Sequence, residues 1–476
     1  METLSMPPET INQPPSVGID QLPDELLLEV SNYFTPNDKI WSISMASRKL
    51  HRVTQSLLYT KVKFVKQELN RDRIYKFIRT VVLHPELATL VKSLKMIPLK
   101  DTGRKVQRTF KAVFRTSEIA TINSEAQALV PYMDLTPIER KVPLSKLSLT
   151  RVMMALLLSK LNHLDDFEYE EPDSYNCSRY RRGHYASFLM PCLPLTTMDR
   201  IDIFPAMCQS ITKLCLKNNR QMDIVQEKYV KALFSMLFLH DLELCHFTVK
   251  AGFYNSNWGM YPLHKDLVDN SPVDWPTRTS PLQMLRLYHV GFSKLVLGKI
   301  ILACKALREF DYCQSDVYPL WEYRPIAFSD LLLPHAETLE TLDCGISDWS
   351  GINGVYVRSI KFGSFRDFDV LKSVTIPRLE QVLLPDLDFV HEEPQRGLRL
   401  PKALEELSLC WYQRPYHALE SFPAIATTFY PNLRKVAIGT VLQEWEEAWA
   451  ERIKASFEAV GIALQWGCSK YSTPRL

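Results

Sequence analysis

Between residues 22 and 60 the apolar positions recur at steps of three and four, interrupted twice by polar or proline-led starts. Leu26, Leu27, Val30, Tyr33 and Phe34 fall at helical spacing behind Pro23, a residue suited to a first helical position. Asp24 and Glu25 place negative charge at the positive end of that helix dipole. Thr35 can cap a second start, with Pro36 after it and Asp38 in its first turn, and Ile40, Trp41, Ile43 and Met45 supply its apolar content. Ser47 opens a third, in which Leu50, Val53, Leu57 and Leu58 face one way and Arg48, Lys49, His51 and Arg52 the other. The pattern predicts three short helices, a unit too small to bury much apolar surface on its own.

Beyond residue 60 the period changes. Leu69, Ile74, Phe77, Ile78, Val81 and Val82 predict one more amphipathic helix, ended by Pro85. From there a short pattern returns: an apolar residue, two variable ones, an apolar residue, one variable, an apolar residue. It occurs at Val91, Leu94, Met96; Leu164, Phe167, Tyr169; Ile211, Leu214, Leu216; Leu239, Leu242, Leu244; and Leu282, Leu285, Leu287. It continues at Leu307, Phe310, Tyr312; Leu339, Leu342, Cys344; Val357, Ile360, Phe362; Leu379, Val382, Leu384; Leu404, Leu407, Leu409; and Leu433, Val436, Ile438.

A single such triad also fits a helix face, so the recurrence carries the argument. From Ile211 on, most starts lie 18 to 32 residues apart, with one gap of 43 that implies an insertion. The last two apolar residues of each triad are one position apart, so in a strand both point to one side and the residue between them points to the other. Stacked in parallel, such strands bury an apolar ladder that no single unit buries alone. Residues 227–239, 295–304 and 328–334 supply the returns. Near the C-terminus, Trp445, Trp449, Ile453, Phe457 and Val460 predict a capping helix ended by Gly461, with Ile462, Leu464 and Trp466 as a final strand.

Two family resemblances rest on these residues. The triads resemble the core of a leucine-rich repeat. The order Leu22-Pro23, Glu25, Leu26, Val30, Asp38, Ile40, Ser47-Arg48 over residues 19–60 resembles an F-box, the motif by which receptor subunits of SCF-type ubiquitin ligases hold a Skp-family adaptor. Together they imply an α/β chain: a short three-helix F-box followed by an irregular leucine-rich-repeat solenoid of parallel strands with helical or irregular returns. The expected division is a disordered tail over 1–17, the F-box over 18–60, a linking helix over 61–85, and the solenoid with its capping helix over 86–476. The resemblance implies that Leu22, Pro23, Glu25, Leu26, Val30, Asp38, Ile40, Ile43, Ser47, Arg48 and Leu50 meet the adaptor, and through it a cullin, while the solenoid holds a protein substrate. The alternative is a non-catalytic scaffold built from the same parts and acting outside any ligase.

Composition narrows the field without choosing within it. A chain of 476 residues exceeds the size at which one core keeps growing, and 46% apolar residues can fill a core. A formal charge of +3 favours neither nucleic acid nor an anionic membrane as a general partner. Residues 1–18 lack the basic start and apolar core of a signal peptide, and no apolar stretch is long enough to span a bilayer, so a cytoplasmic or nuclear address is expected. The 10 Cys are scattered without a Cys-x-x-Cys pair, and neither a metal site nor a cofactor is expected. No nucleophile elbow, His-Glu-x-x-His or phosphate-cradling Gly-x-x-x-x-Gly-Lys is present, and no catalytic residue is assigned.

Recognition is expected at two kinds of place. Outward strand positions carry charges that alternate from unit to unit: Lys213 and Lys217, Asp241 and Glu243, Arg286 and Tyr288, Glu309 and Asp311, then Asp343, Lys361, Glu406 and Lys435. Inserted loops carry aromatics, with Trp258, Tyr261 and Trp275 in one and Tyr318, Trp321 and Tyr323 in another. Arg286, Tyr288, Asp311, Trp258 and Trp321 are the candidate substrate contacts. A further loop joins the acidic run Asp165, Asp166, Glu168, Glu170, Glu171 and Asp173 to Arg179, Arg181 and Arg182, and is expected either to be disordered or to neutralise itself.

Overall fold

In the computed structural model of the chain, the described residues are 19–33, 37–64, 71–97, 112–129, 149–170, 210–217, 223–225, 227–249, 275, 277–292, 294–314, 328–346, 363–376, 400–409, 416–439 and 447–467. Their backbone is organised by one twelve-stranded sheet in which every neighbouring pair is parallel. Its strands are β1 (Lys61–Phe64), β2 (Ser93–Met96), β3 (Asp166–Glu170), β4 (Lys213–Lys217), β6 (Asp241–Cys245), β8 (Met284–Val290), β9 (Glu309–Gln314), β10 (Thr341–Ile346), β11 (Ser373–Ile376), β12 (Glu406–Leu409), β13 (Lys435–Ile438) and β14 (Ala463–Trp466), in that spatial order. Two further strands, β5 (Asp223–Val225) and β7 (Phe247–Val249), form their own parallel ladder. Because spatial order follows chain order, each unit extends the same growing edge, as stacked repeats do.

The register aligns the triads. Val62, Leu94, Phe167, Leu214, Leu242, Leu285, Phe310, Leu342, Val374, Leu407, Val436 and Leu464 form one continuous row, buried except at Val62. Two positions on, a second row runs from Phe64 through Met96, Tyr169, Leu216, Leu244, Leu287 and Tyr312 to Ile438 and Trp466. The first residue of each triad, such as Leu239, Leu282, Leu307 and Leu339, is buried as well. Burying apolar surface at about 25 cal/mol per Å² makes these rows the main favourable contribution to the fold.

Returns cover these rows. They are helices α4 (Arg71–Leu83), α5 (Pro85–Ala88), α6 (Thr116–Leu129), α7 (Leu149–Lys160), α8 (Glu227–Leu233), α9 (Lys294–Ala303), α10 (Phe328–Leu332), α11 (Tyr416–Phe429) and α12 (Glu447–Glu458), which follow the N-terminal helices α1 (Asp24–Asn32), α2 (Asn37–Ser44) and α3 (Arg48–Thr60). Core residues run without a break from Phe64 to Leu464. At the last unit Ile453 and Phe457 of α12 are buried, Trp449 packs on Trp466 with ring centroids 5.8 Å apart, and Gly461 takes φ +79° where the helix ends. This helix and strand stand where the pattern of Trp449, Ile453, Phe457, Leu464 and Trp466 places them; Trp445 lies outside the described residues.

Three expectations are corrected. The sheet begins at Lys61, inside the segment expected to be only a linking helix: Tyr59, Val62 and Phe64 repeat the triad, and β1 pairs with β2 before α4 begins. Between β10 and β12 the sheet holds one strand, not the two expected at Val357–Phe362 and Leu379–Leu384, both of which lie outside the described residues. That strand, β11, rests on Leu371, Val374 and Ile376, all buried. With it in place, the aligned positions Glu309, Thr341, Ser373, Glu406, Lys435 and Ala463 follow at 28 to 33 residues, enough for a strand and its return, whereas an 18-residue step is not. The acidic run, read also as part of a loop, lies partly in strand β3, as the triad Leu164, Phe167, Tyr169 requires: side chains alternate between buried Phe167 and Tyr169 and outward Asp166, Glu168 and Glu170, while Glu171, Asp173, Arg179, Arg181 and Arg182 lie outside the described residues.

Candidate docking surfaces

The three N-terminal helices have a core of their own, separate from that of the sheet. Leu27, Leu50 and Val53 are buried against one another, with Leu22, Leu28 and Ile43 packed around them. Local sequence explains the geometry. The Ser47 side chain accepts a hydrogen bond from the Leu50 backbone N–H at 3.1 Å and so caps α3. Asp24, in the first turn of α1, accepts from Arg52 at 2.7 Å and lies 3.6 Å from the Lys49 ammonium, which itself donates to the Leu22 carbonyl at 2.6 Å. Ser44 and the His51 Nδ1, 2.8 Å apart, tie α2 to α3.

Such a core leaves apolar side chains outside it. Leu26 is 47% exposed, Trp41 57% and Met45 67%, and Val30, Tyr33 and Ile19 are exposed too. Leu26 and Val30 lie one turn apart on α1, next to buried Leu27, and both reach solvent. Trp41 and Met45 hold the equivalent spacing at α2, beside buried Ile40 and Ser44.

The residues expected to meet an adaptor therefore divide. Pro23, Glu25, Leu26, Val30 and Arg48 are exposed. Leu50 and Ile40 are not: they are buried, and Leu22 and Ile43 are half-buried against the same core, so these four shape the surface from beneath. Ser47 is occupied as a helix cap, and Asp38 lies within α2. Trp41 and Met45 were read in the sequence as helix content and not as surface. No local signal separated them, since Ser42 is exposed but Ser44 is buried and polarity along α2 does not mark its outward side.

The outward rows of the sheet form a second surface, and its charges are largely used within the chain. Glu168 accepts from Lys95 at 2.7 Å and from Lys217 at 3.1 Å, and Lys217 also lies 3.3 Å from Glu243. Burial alone would raise the Glu168 carboxyl, but the two ammonium groups more than offset it and hold its pKa below the ordinary value. Arg286 on β8 reaches Asp241 on β6 at 2.7 Å and Glu309 and Asp311 on β9 at 3.1 and 3.6 Å. Burial works against its charge, yet these carboxylates keep its pKa above the usual arginine value. The Tyr288 hydroxyl donates to Asp311 at 2.8 Å, and burial together with that carboxylate pushes its pKa up. Asp241 and Asp343, expected as outward contacts, are buried at 4% and 1% exposure.

The structure thus brings Arg286, Tyr288 and Asp311 together as one hydrogen-bonded group. Trp258 and Trp321 lie outside the described residues, as does Lys361. Trp275, read as part of an aromatic loop, packs on the core with its ring 5.9 Å from that of Phe234.

Beside this mixed-charge face the described residues include no group of three or more His, Cys, Asp or Glu side chains placed to hold a metal, and no helix long and apolar enough to cross a membrane. No protein-family model matches the chain, and no curated protein matches it either.

Proposed function

We propose that the chain is a non-catalytic receptor subunit of an SCF-type ubiquitin ligase: the three N-terminal helices act as an F-box that holds a Skp-family adaptor and, through it, a cullin, and the repeat stack presents a protein substrate. The observation that carries this reading is the apolar side of α1 and α2. Leu26, Val30, Trp41 and Met45 stay exposed on a unit whose own core is Leu27, Leu50 and Val53, an arrangement stable in water only at a cost that a bound partner removes. The order of residues in the F-box motif supports the identity of that partner, and the parallel stack supplies a long surface for the other. Catalysis in such a complex comes from holding substrate near a ubiquitin donor, an effective-concentration mechanism that asks for no nucleophile here.

The test is adaptor capture by the full chain. Leu26→Asp combined with Trp41→Asp, both outside the core, should abolish recovery of adaptor and cullin while leaving the unfolding free energy within about 1 kcal/mol of wild type. Leu50→Ala should instead destabilise the module by about 2–4 kcal/mol. Adaptor recovered without cullin would point to a scaffold acting outside a ligase. Undiminished adaptor recovery by the double variant would overturn the reading.

A further inference from the structure

We infer that His335 is an acid-opened clasp between the units of β9 and β10: a second proton on its ring loosens these two central units while the last units of the stack hold. The residue closes the 3-10 turn Leu333–His335 and is 1% exposed. Both ring nitrogens are used by backbone groups of the preceding unit. Nε2 lies 2.9 Å from the Ile301 carbonyl oxygen of α9, and Nδ1 lies 3.4 Å from the Leu307 N–H leading into β9. A carbonyl can only accept and an amide N–H can only donate, so the neutral ring carries its hydrogen on Nε2 and a bare lone pair on Nδ1. Thr338, three residues on, donates its hydroxyl to the Leu307 carbonyl at 2.9 Å and completes the junction.

A proton taken from solvent can add only at Nδ1. It occupies the lone pair that the Leu307 N–H uses, sets two donors against each other, and buries a charge. Charged side chains on the surrounding elements are Lys299 on α9, Lys305 and Arg308 on the strand approach, Glu337 beyond the ring, and Arg278 in the segment before β8. Of these Arg278 acts on the ring, and it repels a second positive charge; among the described residues no carboxylate holds the added proton. Burial lowers the His335 pKa, with Arg278 adding to it, against the Ile301 hydrogen bond, which favours the charged ring but does not offset them. The sign follows. The open form takes up the proton near the ordinary value of 6.5, the closed form resists it, and closure weakens as pH falls below 6.5.

Hydrogen exchange of the full chain, corrected for intrinsic rates and compared at pH 7.5 and 5.5, tests this. Protection of residues 301–314 and 335–346 should fall by up to about tenfold between the two, while residues 405–438 change little. In His335→Gln, whose carboxamide can donate to Ile301 and accept from Leu307 without titrating, the fall should vanish. Arg278→Gln, at an exposed side chain, should shrink it and decides the matter if the first variant does not fold. Equal protection at both pH values in wild type, an undiminished fall in His335→Gln, or an unchanged fall in Arg278→Gln would overturn the inference.

Discussion

Arg79 on α4 and Glu118 on α6, 39 residues apart, share two parallel hydrogen bonds, one from Nε to Oε2 at 2.8 Å and one from Nη2 to Oε1. The same carboxylate accepts from the Arg115 backbone N–H at 2.9 Å and so also caps its own helix. The Arg79 hydrogen bonds, then that of Arg115, hold its pKa down at about 2 against an ordinary 4.5. A depressed carboxyl stabilises in full above its unfolded value and loses that contribution as pH falls through the folded one. The urea midpoint of Glu118→Gln should therefore lie below wild type at neutral pH, and the gap should narrow steadily once pH falls below 4.5. A gap independent of pH would mean that the amide substitutes fully for the ion pair.

Two arginines on the sheet side should behave differently. Arg286 is 21% exposed and compensates Asp241, whose side chain is 6% exposed, so Arg286→Ala leaves a nearly buried carboxylate whose remaining ion pair, among the described residues, is Lys213 at 3.5 Å. A loss of about 3 kcal/mol is expected, the lower end for breaking a buried pair. Arg308 meets Glu340 at 3.9 Å with both side chains about half exposed, and Arg308→Ala should change stability by about 0.5 kcal/mol or less. Chemical denaturation of the two variants separates these outcomes.

Gly298 and Gly461 predict opposite signs on substitution by alanine. Gly298 sits inside α9, and a β-carbon there would meet Leu331 Cδ2 at 3.5 Å, an ordinary contact, so Gly298→Ala should stabilise by about 0.5–1 kcal/mol. At Gly461 nothing lies within 4 Å, but φ is +79°, and Gly461→Ala should cost about 1 kcal/mol through backbone strain alone. Thermal melts of the pair give the comparison.

Buried thiols should be inert. Burial raises the thiol pKa of Cys215 and Cys245 well above the ordinary value, with the Glu243 charge adding to it, and lifts that of Cys304 to about 12. Since the thiolate is the reactive form, alkylation at pH 8 followed by peptide mass analysis should leave all three unmodified in the folded chain and label them after unfolding.

The sequence made the strand positions readable wherever a triad stood without competition, as at Leu285–Leu287 or Val436–Ile438, because a two-residue period with buried ends has few other uses. It failed where two readings shared residues. Tyr59 closed the helical motif and hid the first triad, and the neighbouring candidates at 357 and 379 masked Leu371–Ile376 between them. Side-chain pairing was less legible. Alternating charge was visible, but Arg286 finds Asp241 45 residues earlier, a relation set by register that no local window contains. On α1 periodicity alone did not separate Leu26 from Leu27, which are the same residue type; the resemblance singled out Leu26 and Val30, and packing leaves both exposed with Leu27 in the core.

The passage from α3 to β1 has a mechanical consequence. Thr60 ends the helix and Lys61 begins the strand with no residue between; the Thr60 carbonyl accepts from the Lys92 N–H at 3.0 Å, and the rings of Tyr59 and Phe77 stack 6.4 Å apart. A swivel at this junction would have to tear both contacts, so a load applied to the three helices travels straight into the edge of the sheet. The molecule carries its helical head as a lever carries its handle, cast in one piece with the beam.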